Sequence, residues 1–490
     1  YLETPGFQEG LTTETVLEGD VNGDLGSIGG KSPWATDPIG LAFGIDYRKE
    51  TLSLQVDEEF SSGDLAGQGG PTPSVSGQYS LWEIYGETRI PIVQDQPFAK
   101  SLALNASFRY SDYNTFGGTD TYEIGPTWNI TEDFMLRAGY NRAVRAPNVD
   151  ELFAPQAVGL DFSNDPCAGV PTATAAQCAA TGVSAAQYTH IAANPANQYN
   201  GLLGGNPSLK PETADTYSVG AVLTPRAIPR FSLSIDYFHI DVQNAVNGIG
   251  AQTIMDQCIS TSNPFFCNLI HRAPGTGSLW LGTSGYVQDT ELNTAEYETS
   301  GIDFEGNYRI SLADMHMGDN GSLSFAFQGT YTIDYNVTPA PGLGTFDCVG
   351  LYGTVCQGTG TPMSSPTPAW RHSFRVNWDT PWHGLGFSAQ WRYIGSLKVD
   401  ASSSNPQLSN PALVFPEDEN LPSISYLDLE ASLRINDKYT ARVGVNNVAD
   451  TNPPLIGSNN LPAVFGNGNT FSQFYDALGR YIFFNVTANF

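Results

Sequence analysis

A chain of 490 residues exceeds most single globular domains, yet no linker splits it. Only 15% of residues are charged and 12% are aromatic, with 51 Gly and 32 Pro, a profile that suits many strands joined by turns and polar loops. The net charge of -28 argues against a nucleic-acid partner, because a phosphate backbone would be repelled. It leaves two readings open, an affinity for cations or cationic ligands and a well-solvated acidic surface. No apolar run approaches the roughly 20 residues that a membrane helix requires. Barrel strands alternate, however, so a mean hydropathy of -0.21 is compatible with a membrane as well as with water.

The chain opens on Tyr1, without an initiator Met or a signal peptide, so processing or a missing N-terminal part is expected. Period-2 segments then recur along the whole length. The first spans 14–24. The second spans 39–56, where Leu41, Phe43, Ile45 and Tyr47 share a face. Strands over 79–94, 99–113, 119–130 and 134–145 follow. After a long gap come 214–224 and 230–246, the latter with Phe231, Leu233, Ile235 and Tyr237 on one side. Next are 294–310 and 321–335, with Leu323, Phe325, Phe327 and Tyr331 aligned, then 369–379, with Phe374, Val376 and Trp378. In 385–398, Leu385, Phe387, Ala389, Trp391 and Tyr393 alternate with Ser388, Gln390 and Arg392. In 423–435, Leu427, Leu429, Ala431 and Leu433 alternate with Asp428, Glu430, Ser432 and Arg434. The last two are 439–449 and 475–490, making about fifteen. Counting back from Phe490, Ala488, Val486, Phe484 and Ile482 lie on one face, and Asn489, Thr487 and Asn485 on the other. One apolar face and an aromatic end are what a membrane barrel needs of its closing strand.

From residue 131 the connections alternate between short and long. Short ones lie near 131–133, 225–229, 311–320, 380–384 and 436–438, and long ones at 146–213, 247–293, 336–368, 399–422 and 450–474. A soluble sandwich has no reason to sort its loops this way, whereas an outer-membrane barrel has tight periplasmic turns and long external loops. With Phe490 at the periplasmic rim, parity puts all five long loops outside the cell. Upstream the pattern loosens, with a longer link at 25–38 out of turn. The six cysteines fall as local pairs, Cys167 with Cys178, Cys258 with Cys267 and Cys348 with Cys356, each inside a different long loop. Three disulfides in an oxidising compartment are expected. Zinc is the rival reading, but CxxC pairs and neighbouring His clusters are missing, and neither metal nor cofactor is expected.

Three segments carry a family resemblance. One runs Arg137-Ala138-Gly139-Tyr140-Asn141-Arg142-Ala143-Val144-Arg145-Ala146-Pro147-Asn148-Val149-Asp150-Glu151-Leu152-Phe153. Another is Gly205-Asn206-Pro207-Ser208-Leu209-Lys210-Pro211-Glu212-Thr213-Ala214-Asp215-Thr216-Tyr217, and the third is Val443-Gly444-Val445-Asn446-Asn447-Val448-Ala449-Asp450 with the terminal Phe490. In combination and order they resemble the TonB-dependent outer-membrane receptors. The resemblance implies an all-β, antiparallel transmembrane β-barrel of about 22 strands closed by an N-terminal plug. It also implies uptake of a scarce solute driven by the TonB complex, and a C-terminal strand ending in Phe490 that is the signal for the barrel-assembly machinery. Residues 1–490 are therefore expected to be the C-terminal ~15 strands of such a barrel, with plug, TonB box and first strands missing. The strand near 14–24 is expected to have an unpaired, association-prone edge.

Ligand contacts are expected from aromatic residues of the long loops: Phe162, Tyr188, Tyr199, Trp280, Tyr286 and Tyr352. Such rings suit sugars or catecholate-like iron chelators equally well, while packing within the loops or an aromatic girdle at the membrane interface is expected to claim most of them. Arg137, Asn141 and Arg145 alternate with apolar neighbours and are expected to face the lumen, while Pro147 and Pro211 set loop geometry. The acidic Asp57-Glu58-Glu59 run reads as a divalent-cation site or as solvated carboxylates. The six histidines are scattered, and Gly282-Thr283-Ser284-Gly285 is not a nucleophile elbow, so no enzyme is expected. The expected function is an outer-membrane receptor for a ferric siderophore or an oligosaccharide, in contact with membrane lipid. A passive porin or adhesin, and a soluble secreted β-protein, are the alternatives.

Overall fold

The computed structural model describes residues 5–65, 71–358, 365–461 and 469–489; Phe490 lies outside them. Fifteen strands form one continuous antiparallel wall. They are β1 (Gln8–Asp24), β2 (Gly40–Val56), β3 (Val75–Gln96), β4 (Ala99–Tyr113), β5 (Gly117–Asn129), β6 (Phe134–Arg145), β7 (Glu212–Leu223) and β8 (Phe231–Asn247). The remainder are β9 (Leu292–Ser311), β10 (Ser322–Thr338), β11 (Trp370–Asp379), β12 (Leu385–Ile394), β13 (Ile424–Arg434), β14 (Tyr439–Asn446) and β15 (Tyr481–Ala488). Each pairs with its neighbours in chain order; among the described residues β1 pairs only with β2 and β15 only with β14.

Register sorts the side chains by chemistry, because a period of two sends alternate residues to opposite faces. Tyr217 opposes Tyr140 and His239, Val219 opposes Tyr237, and Trp391 opposes Phe374 and Leu427, all on one face. On that face Val219 is 60% exposed, Phe484 70% and Ile482 69%. Apolar exposure on this scale would be an aggregation hazard in water and is what contact with hydrocarbon favours. The other face is polar, and several of its charges are paired. Arg109 reaches Glu83 at 2.9 Å and lies 4.7 Å over the Tyr85 ring, whose hydroxyl donates to Glu18 at 2.7 Å. Arg137 holds Asp236 through two bonds, at 2.7 and 2.6 Å.

Antiparallel pairing forces the five long connections to one end of the wall and the short turns to the other. The longer link between β1 and β2 sits at the turn end. There Gln94 N–H donates to the Trp34 carbonyl at 2.8 Å and Ser32 Oγ to the Ile92 carbonyl at 2.6 Å, bracing it against β3. Three expected strands end elsewhere. The 385–398 segment breaks at Gly395, where any Cβ would lie 2.8 Å from the Trp370 carbonyl; Leu397–Val399 joins a separate small sheet with Leu351–Tyr352 and Asn420–Leu421. The strand from 439 stops at Asn446 because Asn447 turns left-handed (φ 51°), its side chain bridging Thr451 N–H and C=O. The final strand starts at Tyr481, since Phe471 and Tyr475 are buried among loops instead.

Most of the large buried apolar side chains lie at the long-loop end. One cluster joins the 146–211 and 248–291 loops through Phe162, Tyr199, Ile254, Met255, Phe266, Leu279 and Val287. A second joins the later loops through Tyr352, Val399, Leu421, Ile456, Phe471 and Tyr475, with Tyr426 from β13. Burial of each such side chain contributes about 1.5–3 kcal/mol, enough for these loops to hold their own structure.

Candidate functional site at the loop end of the barrel

The two longest family segments meet at the rim. Arg145, the last residue of β6, is bracketed by Glu212 (2.6 Å to each carboxylate oxygen) and Glu151 (3.0 and 3.1 Å). Glu212 opens β7 and also accepts from Val246 N–H at 2.7 Å. Asn148 caps the helix Val149–Phe153 in a reciprocal box with Glu151, which leaves Val149 and Leu152 free to pack on Tyr79 and Leu81 of β3. Asn206 donates to the Glu291 carbonyl at 3.0 Å, and Asn293 donates to the Lys210 carbonyl at 2.8 Å. These residues fix where the 146–211 loop leaves and rejoins the wall. Arg137, Asn141 and Arg145 share the polar face, and both arginines have carboxylate partners.

The loops are stapled from within. The three disulfides form as Cys167–Cys178, Cys258–Cys267 and Cys348–Cys356. Arg272 and Asp165, 2% and 0% exposed, pair through two bonds of 2.8 and 2.9 Å and tie the first two loops together; Arg272 also donates to Thr181 Oγ1 at 2.9 Å. Asp289 accepts the Gly250 N–H at 3.0 Å at the start of the helix Ala251–Thr261. Burial pushes its carboxyl above the usual range. Its neighbour Asp161 is pushed up to about 7, first by burial and then by the Asp289 charge.

This packing redistributes the aromatic candidates. Phe162 and Tyr199 stack on each other, ring centroids 5.3 Å apart, inside the first loop core, and Tyr352 is fully buried with its hydroxyl on the Asp418 carbonyl. Those three rings hold loops together. Tyr188, Trp280 and Tyr286 remain half-buried: Tyr188 donates to the Ala173 carbonyl at 3.0 Å, Trp280 to that of Ala192 at 2.9 Å, and Tyr286 lies 5.0 Å from the His271 ring. The Asp57 carboxylate caps the short helix Glu58–Ser62, and no three-residue metal-ligand group occurs among the described residues.

Sequence reading missed a cavity of about 800 Å³ on the polar face, between the wall and the start of β15. Arg392 of β12 lines it, bonded to Asp428 (2.7 and 3.0 Å) and Asp476 (3.0 and 2.6 Å) and lying 4.9 Å over the Tyr426 ring. Arg375 and Gln390 bond each other on the same wall. The alternation that put Arg392 opposite the apolar face was a usable signal; the arrival of Asp476 from a distant loop was not.

Residues 4–448 match the family described as TonB dependent receptor-like, β-barrel. The chain belongs to that family. Its solved relatives include the ferric enterobactin receptor of Pseudomonas aeruginosa, in a mutant complexed with enterobactin (TM-score 0.60, 18% identity, 98% of this chain and 55% of that one). They also include a siderophore receptor of Acinetobacter baumannii (TM-score 0.55, 14% identity, 99% and 55%). Identities this low show the fold alone. By sequence, the chain is 24% identical over 220 residues to the heme/hemopexin utilization protein C of Haemophilus influenzae (strain 86-028NP), covering 43% of this chain and 25% of that protein. The chain thus spans about half the length of these solved receptors and a quarter of the curated relative. Its family and neighbours are receptors and transporters.

Proposed function

We propose that this chain forms the barrel of a TonB-energised receptor of the bacterial outer membrane that takes up a ferric chelate. The observation that carries the reading is the loop end itself. Disulfides, a buried ion pair and two apolar cores hold the long loops in fixed positions above a polar-faced wall, and a preorganised layer of this kind suits capture of a dilute solute. Iron chelates take precedence over oligosaccharides because the relatives are siderophore and heme proteins. In this reading the long loops face the medium, and Tyr188, Trp280 and Tyr286 are the aromatic groups still open to a ligand. Arg137, Asn141 and Arg145 belong to the lumen wall. The apolar face meets lipid, and the last strand with Phe490 engages the barrel-assembly machinery.

The test is iron-55 uptake by cells with and without the full-length gene, in backgrounds with and without TonB, under iron limitation. Uptake that requires both establishes the reading. Uptake indifferent to either removes the energised-receptor function.

A further inference from the structure

The charge carried by the loops bears on the cargo. The five long loops contain four cations, Lys210, Arg272, Lys398 and Arg480, against fourteen carboxylates. Of the four, Arg272 is buried against Asp165 and Lys398 lies 3.6 Å from Glu419, so only Lys210 and Arg480 have no carboxylate partner among the described residues. The turns at the other end are near balance, with Lys31, Arg226, Arg230 and Lys438 against Asp37, Glu132, Asp133, Asp314, Asp319 and Asp437. The loops therefore present a net charge of -10 where cargo would arrive, part of an acidity of -28 that extends over the whole chain.

The polar face below does not reverse it. Arg145 and Arg392 each sit between two carboxylates, and Arg137, Arg109 and Arg442 each have one. Arg371 and Arg375, both on β11, are the exceptions near the loops, and Arg375 is bonded to Ser388 and Gln390. Two guanidiniums stand under a layer with ten more carboxylates than cations. Such a field slows the approach of an anion and concentrates cations, with a reach of about 10 Å at 0.1 M salt.

Resting on the uptake reading above, we propose that the receptor selects against multiply anionic chelates and takes a neutral or cationic one. In the chemistry of ferric chelates that separates trihydroxamates, neutral or singly positive, from tris-catecholates, which carry three negative charges. Aromatic faces on Tyr188, Trp280 and Tyr286 suit either, so charge is the discriminating property.

The experiment uses the full-length receptor in detergent, with a ferric trihydroxamate and a ferric tris-catecholate as probes, binding read by tryptophan quenching at 50 and 200 mM salt. The trihydroxamate is expected to bind about tenfold tighter, with the gap narrowing at the higher salt. Glu417→Lys combined with Asp256→Lys, both exposed on the loops, should shrink the gap several-fold while leaving trihydroxamate uptake measurable. Equal or tighter binding of the catecholate overturns the inference and leaves the uptake reading standing. If neither probe binds and growth on scarce iron ignores the gene, both fall together.

Discussion

The wall and the loop layer are two solutions to burying apolar surface within one chain. The wall leaves its apolar face uncovered: Val219, Ile482 and Phe484 stay exposed, and neighbouring strands satisfy one another's backbone groups except along the outer edges of β1 and β15 among the described residues. The loop layer does the opposite, building cores from Phe162, Ile254, Met255, Phe266, Tyr352 and Phe471 with disulfides and a buried ion pair. In the proposed reading the first relies on lipid and the second on itself, so each should fail to a different insult.

The largest expected effect is confined to the loops. Arg272→Ala strands the Asp165 carboxylate without a partner, and should cost about 3–5 kcal/mol. Hydrogen exchange should rise across 146–211 and 248–291 while the strands keep their protection; matching loss in β7 and β8 would show the two regions to be one cooperative unit. The reciprocal break is Val219→Arg on the apolar face, worth about 2–4 kcal/mol at mid-membrane depth. Heat-resistant migration on gels should weaken for that variant, whereas Thr216→Lys on the polar face should migrate as the parent does.

Removing one staple is a smaller change. Cys258→Ser with Cys267→Ser should loosen the helix Ala251–Thr261 by about 2–3 kcal/mol in the chain-entropy account, seen as faster proteolysis of that loop alone. Acidity gives the mildest effect and the sharpest distinction. Asp161 holds its proton up to about 7 in the fold against 3.8 as the ordinary value, so the folded loops bind more protons than unfolded ones between those limits. Its stabilising contribution is full below that window and lost as pH rises through 7. Loop protection should accordingly be greater at pH 5 than at pH 8, and Asp161→Asn should flatten the difference; a dependence that survives the substitution would assign it to other groups, such as Asp289 or Glu291.

Sequence alone determined the wall. Alternation placed Leu427, Leu429 and Leu433 opposite Asp428, Glu430 and Ser432 before any contact was known, because a strand has only two faces and each meets a different medium. Loop parity and the three cysteine pairs followed from the same regularity. The loop layer was decided by tertiary structure. Its helices and small sheets have no common period, so nothing in the sequence distinguished Phe162, Tyr199 and Tyr352, which pack inward, from Tyr188, Trp280 and Tyr286, which keep an open side. Arg392 acquires Asp476 across 84 positions, and Arg272 acquires Asp165 across 107. Partners so far apart in the chain are chosen by how the loops close over the barrel, which a local pattern does not encode.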